Sequence, residues 1–504
     1  MTTLDAPAPC TRIEKERARR LVTAKLRSLR SAAPRVLDLF SGCGGLFLGF
    51  HHEGAMSVGG VEIDPLAALS YSTNFHRGPD GVADPRHAKT IDIVTTRPED
   101  VLVSWGHERP EEAVDILVGG PPCPSFARVG RAKLRDIHDD PKAFLVDPRA
   151  TLYRHYLDWV RALVPVALVM ENVPEFLNHG GVNLGETICA QLIDMGYRCR
   201  YSILNAAGFG VPQLRERFFL IAIHSEVEAE PDFPTPTHRV DLPQGYMGTR
   251  GVAVGSEARN AAHWFIDPPP MDRGLPAVTT AKAISDLPVI PAEERDRRGA
   301  RHFDRPVAYR TEVSLDPFAR SMREWKGFES SAVVVDHVTR CLSMRDYRIF
   351  RKMKAGDEYP EACAIARQVF AARVARLSAA GKAPRPGSDA FKDLEALFVP
   401  PYAEDKFPNK WRKLDPDAPA RTLMAHLGKD GYSHIHYDSD QTRVISVREA
   451  ARLQSFPDGF RFCGTMNPAF RQIGNSVPPL LSLALARALL ARLSVGTRAH
   501  AVNG

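Results

Sequence analysis

The chain has 504 residues, 44% apolar and 25% charged, which excludes a mostly disordered polypeptide and allows two to four domains at roughly 100–200 residues each. Its net charge of +6 is concentrated: residues 1–34 hold eight Lys/Arg against three Asp/Glu, and residues 301–400 hold 18 against 13. Two basic regions in an otherwise balanced chain fit a polyanionic partner or, equally, solvated helix faces. No stretch approaches the ~18 uncharged apolar residues of a membrane helix, and the N-terminus lacks the apolar core of a secretory signal. A soluble cytoplasmic protein with no membrane partner is expected. The eight cysteines include no Cys-x2-Cys spacing, so neither a zinc site nor a secreted disulfide scaffold is expected.

In chain order, residues 11–33 read as a basic amphipathic helix closed by Pro34. Strand and helix then alternate: strand 36–40, a glycine-rich turn at 41–45, helix 46–54, strand 58–63 and helix 65–75. Further strands at 115–118, 166–170 and 218–223 are separated by helices at 151–163 and 185–195. Apolar strands between amphipathic helices predict an α/β fold, with a parallel sheet covered on both faces. From about residue 225 the chain becomes rich in proline and poor in period, so short strands and loops are expected. Helices return at 361–380, 447–455 and 479–493.

Four segments beside the strands carry reactive groups. The first, Asp38-Leu-Phe40-Ser41-Gly42-Cys43-Gly44-Gly45, places glycines where backbone can approach a ligand and amides stand free at a helix start. The next strand ends in Glu62-Ile63-Asp64, and an acid there commonly takes ribose hydroxyls. Together they point to a nucleoside-containing cofactor, although a surface turn fits the glycines alone. The second segment, Gly119-Gly-Pro-Pro122-Cys123-Pro124-Ser-Phe, sets a thiol on a proline-stiffened loop after a strand, where a nucleophile or a buried structural cysteine are both reasonable. The third, Glu171-Asn172-Val173-Pro174, offers a carboxyl that can hold a proton or cap a strand. The fourth, Gln213-Leu-Arg215-Glu-Arg217, offers guanidinium donors for a carbonyl or phosphate, or a surface ion pair.

DLFSGCGG, GGPPCPSF, ENVP, QLRER and, near the C-terminus, QIGNSVPP (472–479) occur in this order, and together they resemble the cytosine-C5 DNA methyltransferase family in its bacterial modification form. The likeness covers about 35–223 and 441–490. It implies a Rossmann-like S-adenosylmethionine-dependent domain at 35–224 and a smaller irregular target-recognition domain at 225–440. It also implies a scaffold helix and returning segment at 441–504, behind a basic helical extension at 1–34. It further implies covalent catalysis, in which Cys123 adds to C6 of cytosine, Glu171 protonates or hydrogen-bonds N3, and Arg217 with Arg215 in support holds O2. For the cofactor it implies Phe40 against adenine, Glu62 and the neighbouring Ile63 at the ribose, and Asp92 with Ile93 at the adenine edge. Ser41 and Gly42, Gly44 and Gly45 would admit the methionine portion, with Pro122, Asn475 and Ser476 completing the pocket; no metal is needed.

The target base would be flipped out of double-stranded DNA. The resemblance also implies a monomer working at the nucleoid, with a cognate restriction or defence nuclease. Two departures fall on the catalytic loop: Pro124 stands where the family has Gln or Asn, and Ala127 where Ser is common. The alternatives are methylation of RNA, whose family branch carries a Cys-Phe-Thr signature absent here, and a non-catalytic DNA-binding regulator, against which the intact Cys123, Glu171 and Arg217 set argues.

Overall fold

The computed structural model describes residues 9–122, 151–178, 182–242, 246, 263–296, 305–330, 332–404, 410–429 and 431–502. The chain forms two compact units, Met1–Ala277 with Ser476–Gly504, and Val278–Asn475. Residues 225–277, expected with the recognition segment, thus fall in the first unit, and 441–475 in the second.

The first unit opens with helix α1 (Arg12–Leu29), whose start is fixed by a capping box between Thr11 and Glu14. Strands β1 (Arg35–Leu39), β2 (Met56–Val61), β3 (Ile116–Gly119), β4 (Ala167–Asn172), β5 (Tyr197–Asn205) and β6 (Glu216–His224) form one sheet in the order β2-β1-β3-β4-β6-β5. The first four are parallel, as expected, while β6 runs antiparallel to both β4 and β5. The sheet is therefore mixed rather than all parallel. Strand β5 escaped the sequence reading because Arg198 and Arg200 alternate with buried Tyr197, Cys199 and Tyr201, so no apolar run marks it.

Side-chain alternation along each strand supplies two cores. Leu37, Leu39, Leu117, Leu168 and Met170 point to one face, beneath helices α4 (Leu152–Leu163) and α5 (Leu184–Asp194); helices α2 (Gly45–His52) and α3 (Pro65–Phe75) follow β1 and β2. Val36, Ile116, Val118 and Val169 point to the other face, with Phe47 and Phe50 of α2 and Ala18, Val22 and Leu26 of α1. The spacing of 18, 22 and 26 is one helical stripe, so the basic leader is docked on the sheet rather than merely solvated. Lys25, on the same helix, is 2% exposed and its Nζ donates to the carbonyls of Leu163 (2.7 Å) and Val164 (3.0 Å) at the end of α4. Burial lowers its pKa to about 7. Val164 holds φ +45°, a conformation β-branched residues resist, and the Lys25 contact ties down its carbonyl.

One span, Met466–Ser494, is by length and composition apolar enough to cross a membrane, contrary to expectation, but 56% of its window is buried inside the protein. Leu481, Leu485 and Leu489 of the last helix (Pro479–Val502) are core residues of the second face.

The second unit holds two-residue strands, in line with the short strands expected, together with α-helices of 4 to 21 residues. Its helices include α6 (Met344–Phe350), α7 (Tyr359–Ala379) and α8 (Asp389–Ala396), with the helix Val447–Leu453 further on. Every residue of Val447–Leu453 is buried, including two arginines and a glutamate.

Candidate active site

The sheet reverses its building direction at β1, with β2 added on one side and β3 on the other. Such a switch point opens a crevice at the carboxyl ends of the strands. The turn after β1, the end of β2, the Gly120-Pro121-Pro122 segment after β3 and the end of β4 all gather there. Because β6 is antiparallel, its beginning, with Arg217, lies beside the end of β4, with Glu171. In register terms, Glu171 pairs with Phe219 and Asn172 with Phe218.

At this edge Arg217 Nε lies 3.1 Å from Glu171 Oε1, with the two side chains only 14% and 13% exposed. Burial raises the Glu171 carboxyl above the usual carboxylate range, opposed by Arg217 and then Arg215. Burial likewise lowers the Arg217 guanidinium, opposed by Glu171. The carboxyl is therefore poised to keep or give a proton where a carboxyl in water would simply ionise. A side chain at Gly120 would place its Cβ 2.8 Å from Glu171 Oε2, so glycine is what lets the loop after β3 pass the carboxylate.

Asn172, to which the sequence reading gave no role, donates from Nδ2 to Pro121 O (3.0 Å) and accepts from Val173 N (2.9 Å), pinning that loop to β4. Pro122 is exposed at the end of the described segment. Cys123, Pro124 and Ala127 lie outside the described residues.

Arg215, expected beside the base, is 1% exposed, and its Nη2 donates to Ser476 O (3.1 Å). Ser476 Oγ in turn meets Cys43 Sγ at 3.2 Å, joining the glycine turn to the arginine segment. These two contacts span 261 and 433 residues, and no local pattern announces either.

On the other side of β1, Glu62 is gripped by three amides: Gly42 N to Oε2 (2.9 Å), and Ile63 N (2.9 Å) and Asp64 N (2.8 Å) to Oε1. Burial raises its carboxyl, and these amides oppose the shift. Ile91 N donates to Glu62 O (2.8 Å), which brings the segment with Asp92 alongside. Asp92 itself accepts from Val94 N (2.9 Å). Ile93, expected at an adenine edge, is 7% exposed with its side chain in the core beside Leu39 and Val61. That leaves Asp92 and backbone, rather than the Ile93 side chain, for a ligand. Ile63 is 65% exposed.

Phe40 holds φ +54°, which turns the chain sharply out of β1 into the glycine segment. Gly42 also has φ +54°, and a Cβ there would meet open space, whereas at Gly44 (φ +99°) it would strike Phe75 at 2.3 Å. Gly44 caps α2 and Gly45 begins it. Two buried oxygens nearby, Asp38 Oδ2 and Ser41 Oγ, have no hydrogen-bond partner among the described residues. Burial pushes the Asp38 carboxyl well up, and Glu62 adds to the shift. Orphaned acceptors, an amide-held acid and free space over a glycine fit a ligand bearing hydroxyl and ammonium donors, which S-adenosylmethionine is. Asn475 ends a helix of the second unit, Met466–Asn475. Among the described residues no cluster of three His, Cys, Asp or Glu side chains could hold a metal.

The model of the C-5 cytosine-specific DNA methylases matches residues 34–491. The chain is 36% identical over 474 residues to M.OihORF3336P of Oceanobacillus iheyensis, covering 92% of this chain and 96% of that one. It is 30% identical over 477 residues to the type II methyltransferase M.AgeI of Thalassovita gelatinovora, covering 91% and 100%. Among solved structures, a prophage-encoded E. coli chain superposes with a TM-score of 0.57 at 21% identity, covering 92% of this chain and all of that one.

Proposed function

Because this chain belongs to the C-5 cytosine-specific DNA methylases, we propose that Cys123, Glu171 and Arg217 carry out its reaction at the sheet edge formed by the carboxyl ends of β3 and β4 and the beginning of β6. The chain is an S-adenosylmethionine-dependent DNA (cytosine-5)-methyltransferase. The cofactor supplies an electrophilic methyl group on a sulfonium centre. Glu62 with the Gly42 amide, Phe40, Ser41, Asp92, Gly44 and Gly45 would hold it, and Ser476 would brace the turn through Cys43.

Carbon 5 of cytosine is too electron-poor to attack by itself. Cys123 adds as thiolate to C6, and the electron pair displaced toward N3 is met by a proton or hydrogen bond from Glu171. Arg217 donates to O2, where negative charge would otherwise gather. After C5 is methylated, loss of its proton and expulsion of Cys123 restore the aromatic ring. The observation that carries this reading is the Glu171–Arg217 pair, a carboxyl made proton-retentive by burial and set against a fixed cation.

The unit Val278–Asn475 would read the target sequence. The type II name of the Thalassovita relative supports a modification enzyme that shields DNA from a cognate nuclease. We place it in the cytoplasm at the nucleoid, acting as a monomer.

Duplexes carrying 5-fluorocytosine test the chemistry, since fluorine blocks the final proton loss and traps the Cys123 adduct. Wild type should form a complex that survives denaturing electrophoresis, and Cys123→Ser should form none. Equal trapping by the serine variant would remove Cys123 from the mechanism. Bisulfite sequencing of DNA from an expressing host would give the modified site.

A further inference from the structure

Helices α6, α7 and α8 of the second unit enclose a groove of about 970 Å³ that the chemistry above leaves unused. Five cations line it, Arg345, Arg348, Lys352, Arg373 and Arg376, and no acid does. Arg373 and Arg376 lie three apart on one face of α7, Arg348 lies on α6, and Lys352 follows just past the end of α6. Arg345 is engaged by Asp346 at 2.9 Å. Among the described residues, Arg348, Lys352, Arg373 and Arg376 have no ion-pair partner, and all four are exposed. Arg348 lies 5.3 Å from the centre of the Phe398 ring, which holds its guanidinium over the groove wall. Leu397, 64% exposed, adds an apolar lip.

The buried arginines of this unit are closely paired. Arg443, Arg448 and Arg452 each meet a carboxylate at 2.6–2.9 Å. The four groove cations, by contrast, are exposed, face one concavity, and have no acid among the residues lining it. Gathering them costs mutual repulsion, which a polyanion relieves on binding.

We infer that this groove is a docking surface for the phosphate backbone of duplex DNA, adding sequence-independent affinity to the enzyme's hold on its substrate. The inference rests on the reading of the chain as a DNA methyltransferase. DNA carries about one charge per 1.7 Å of axis, and each phosphate neutralised releases counterions, so the signature of such a surface is the salt dependence of binding. The apolar lip suits the sugar faces between phosphates. An acidic peptide is the competing occupant, and it would use Leu397 and Phe398 as anchors.

The test uses the full chain and a fluorescein-labelled 30-base-pair duplex of random sequence, with the dissociation constant followed by anisotropy across potassium chloride concentrations. The variant R348Q/K352Q/R373Q/R376Q should flatten the slope of log affinity against log salt by about 3.6, at roughly 0.9 for each of the four lost contacts. It should bind at least about tenfold more weakly near physiological salt. Its kcat at saturating DNA should stay at the wild-type value while its KM for DNA rises, which also shows that it is folded. The charge-keeping R348K/R373K/R376K should retain the wild-type slope.

A quadruple variant with unchanged slope and affinity would overturn the inference. So would an unchanged slope combined with loss of binding to a labelled Glu/Leu amphipathic peptide that wild type binds, which would assign the groove to a protein. Wild type that binds the duplex but methylates no DNA would instead defeat the reading of the reaction, so the two failures are distinguishable.

Discussion

Both units bury arginine beside carboxylate, and they do so to opposite effect. In the second unit Arg443 grips both oxygens of Glu449 (2.7 and 2.6 Å). Arg448 meets Asp336 at 2.9 Å. Arg452 bridges Asp458 (2.6 Å) and Asp286 (3.1 Å) while also donating to Ala283 O (2.9 Å). With donors and acceptors matched, ionisation is favoured: the Glu449 and Asp458 carboxyls are held below, and the Arg452 guanidinium above, their ordinary values. In the first unit the directions reverse, with Glu171 pushed up and Arg215 and Arg217 pushed down. There burial outweighs a single Nε contact. The residue types are the same, but a fully satisfied network is a girder, while a sparsely satisfied one holds protons loosely enough to use them.

That contrast predicts a double dissociation. Glu171→Gln keeps shape and hydrogen-bonding capacity but cannot carry the proton, so kcat should fall about 10²–10⁴-fold while the melting temperature stays near wild type. A glutamine variant as fast as wild type would remove Glu171 from the chemistry. Arg452→Met, which leaves Asp286 and Asp458 buried without their cation, should cost about 3–5 kcal/mol in urea denaturation of the second unit. Unchanged stability there would mean that the network is ornamental.

A smaller effect separates buried neutral groups from buried charges. His76 and His87 stack at 3.7 Å, with Trp105 4.9 Å beyond His87. Burial lowers their pKa values to about 3 and about 4. Both rings are then neutral when folded and would take up protons only on unfolding. Their contribution is therefore full above pH 6.5 and is lost as pH falls from there toward about 4 for His87 and about 3 for His76. Stability of the first unit should drop on the order of 1 kcal/mol per pH unit in that window. A His76→Gln/His87→Gln variant should show a shallower loss; an identical pH profile would exclude the stack as its source.

The four parallel strands were legible because strands buried on both faces read as short apolar runs, and residues at their ends could be named from the sequence. The direction of β6 was not legible. It depends on the short excursion 206–215 folding back rather than crossing over, and periodicity carries no sign. Glu171 and Arg217 could be named in advance, but their 3.1 Å approach follows only from that antiparallel turn. Asn172 stood inside a recognised motif, yet its hold on Pro121 emerges only when β3 and β4 are laid side by side. The ion pairs of the second unit were hidden for a different reason: Arg448 finds Asp336 at 112 residues' distance and Arg452 finds Asp286 at 166. No local pattern encodes such partners.

The docking of α1 bears on where a working fragment can be cut. A chain trimmed to start at residue 34, where the family likeness begins, would expose the sheet face that Ala18, Val22 and Leu26 seal. Val22 and Leu26 alone are each worth about 1.5–3 kcal/mol of burial. The trimmed chain would also strip the amine from the Leu163 and Val164 carbonyls. Expression clones should keep this leader, because here the evolutionary edge of the family and the mechanical edge of the domain fall about one helix apart.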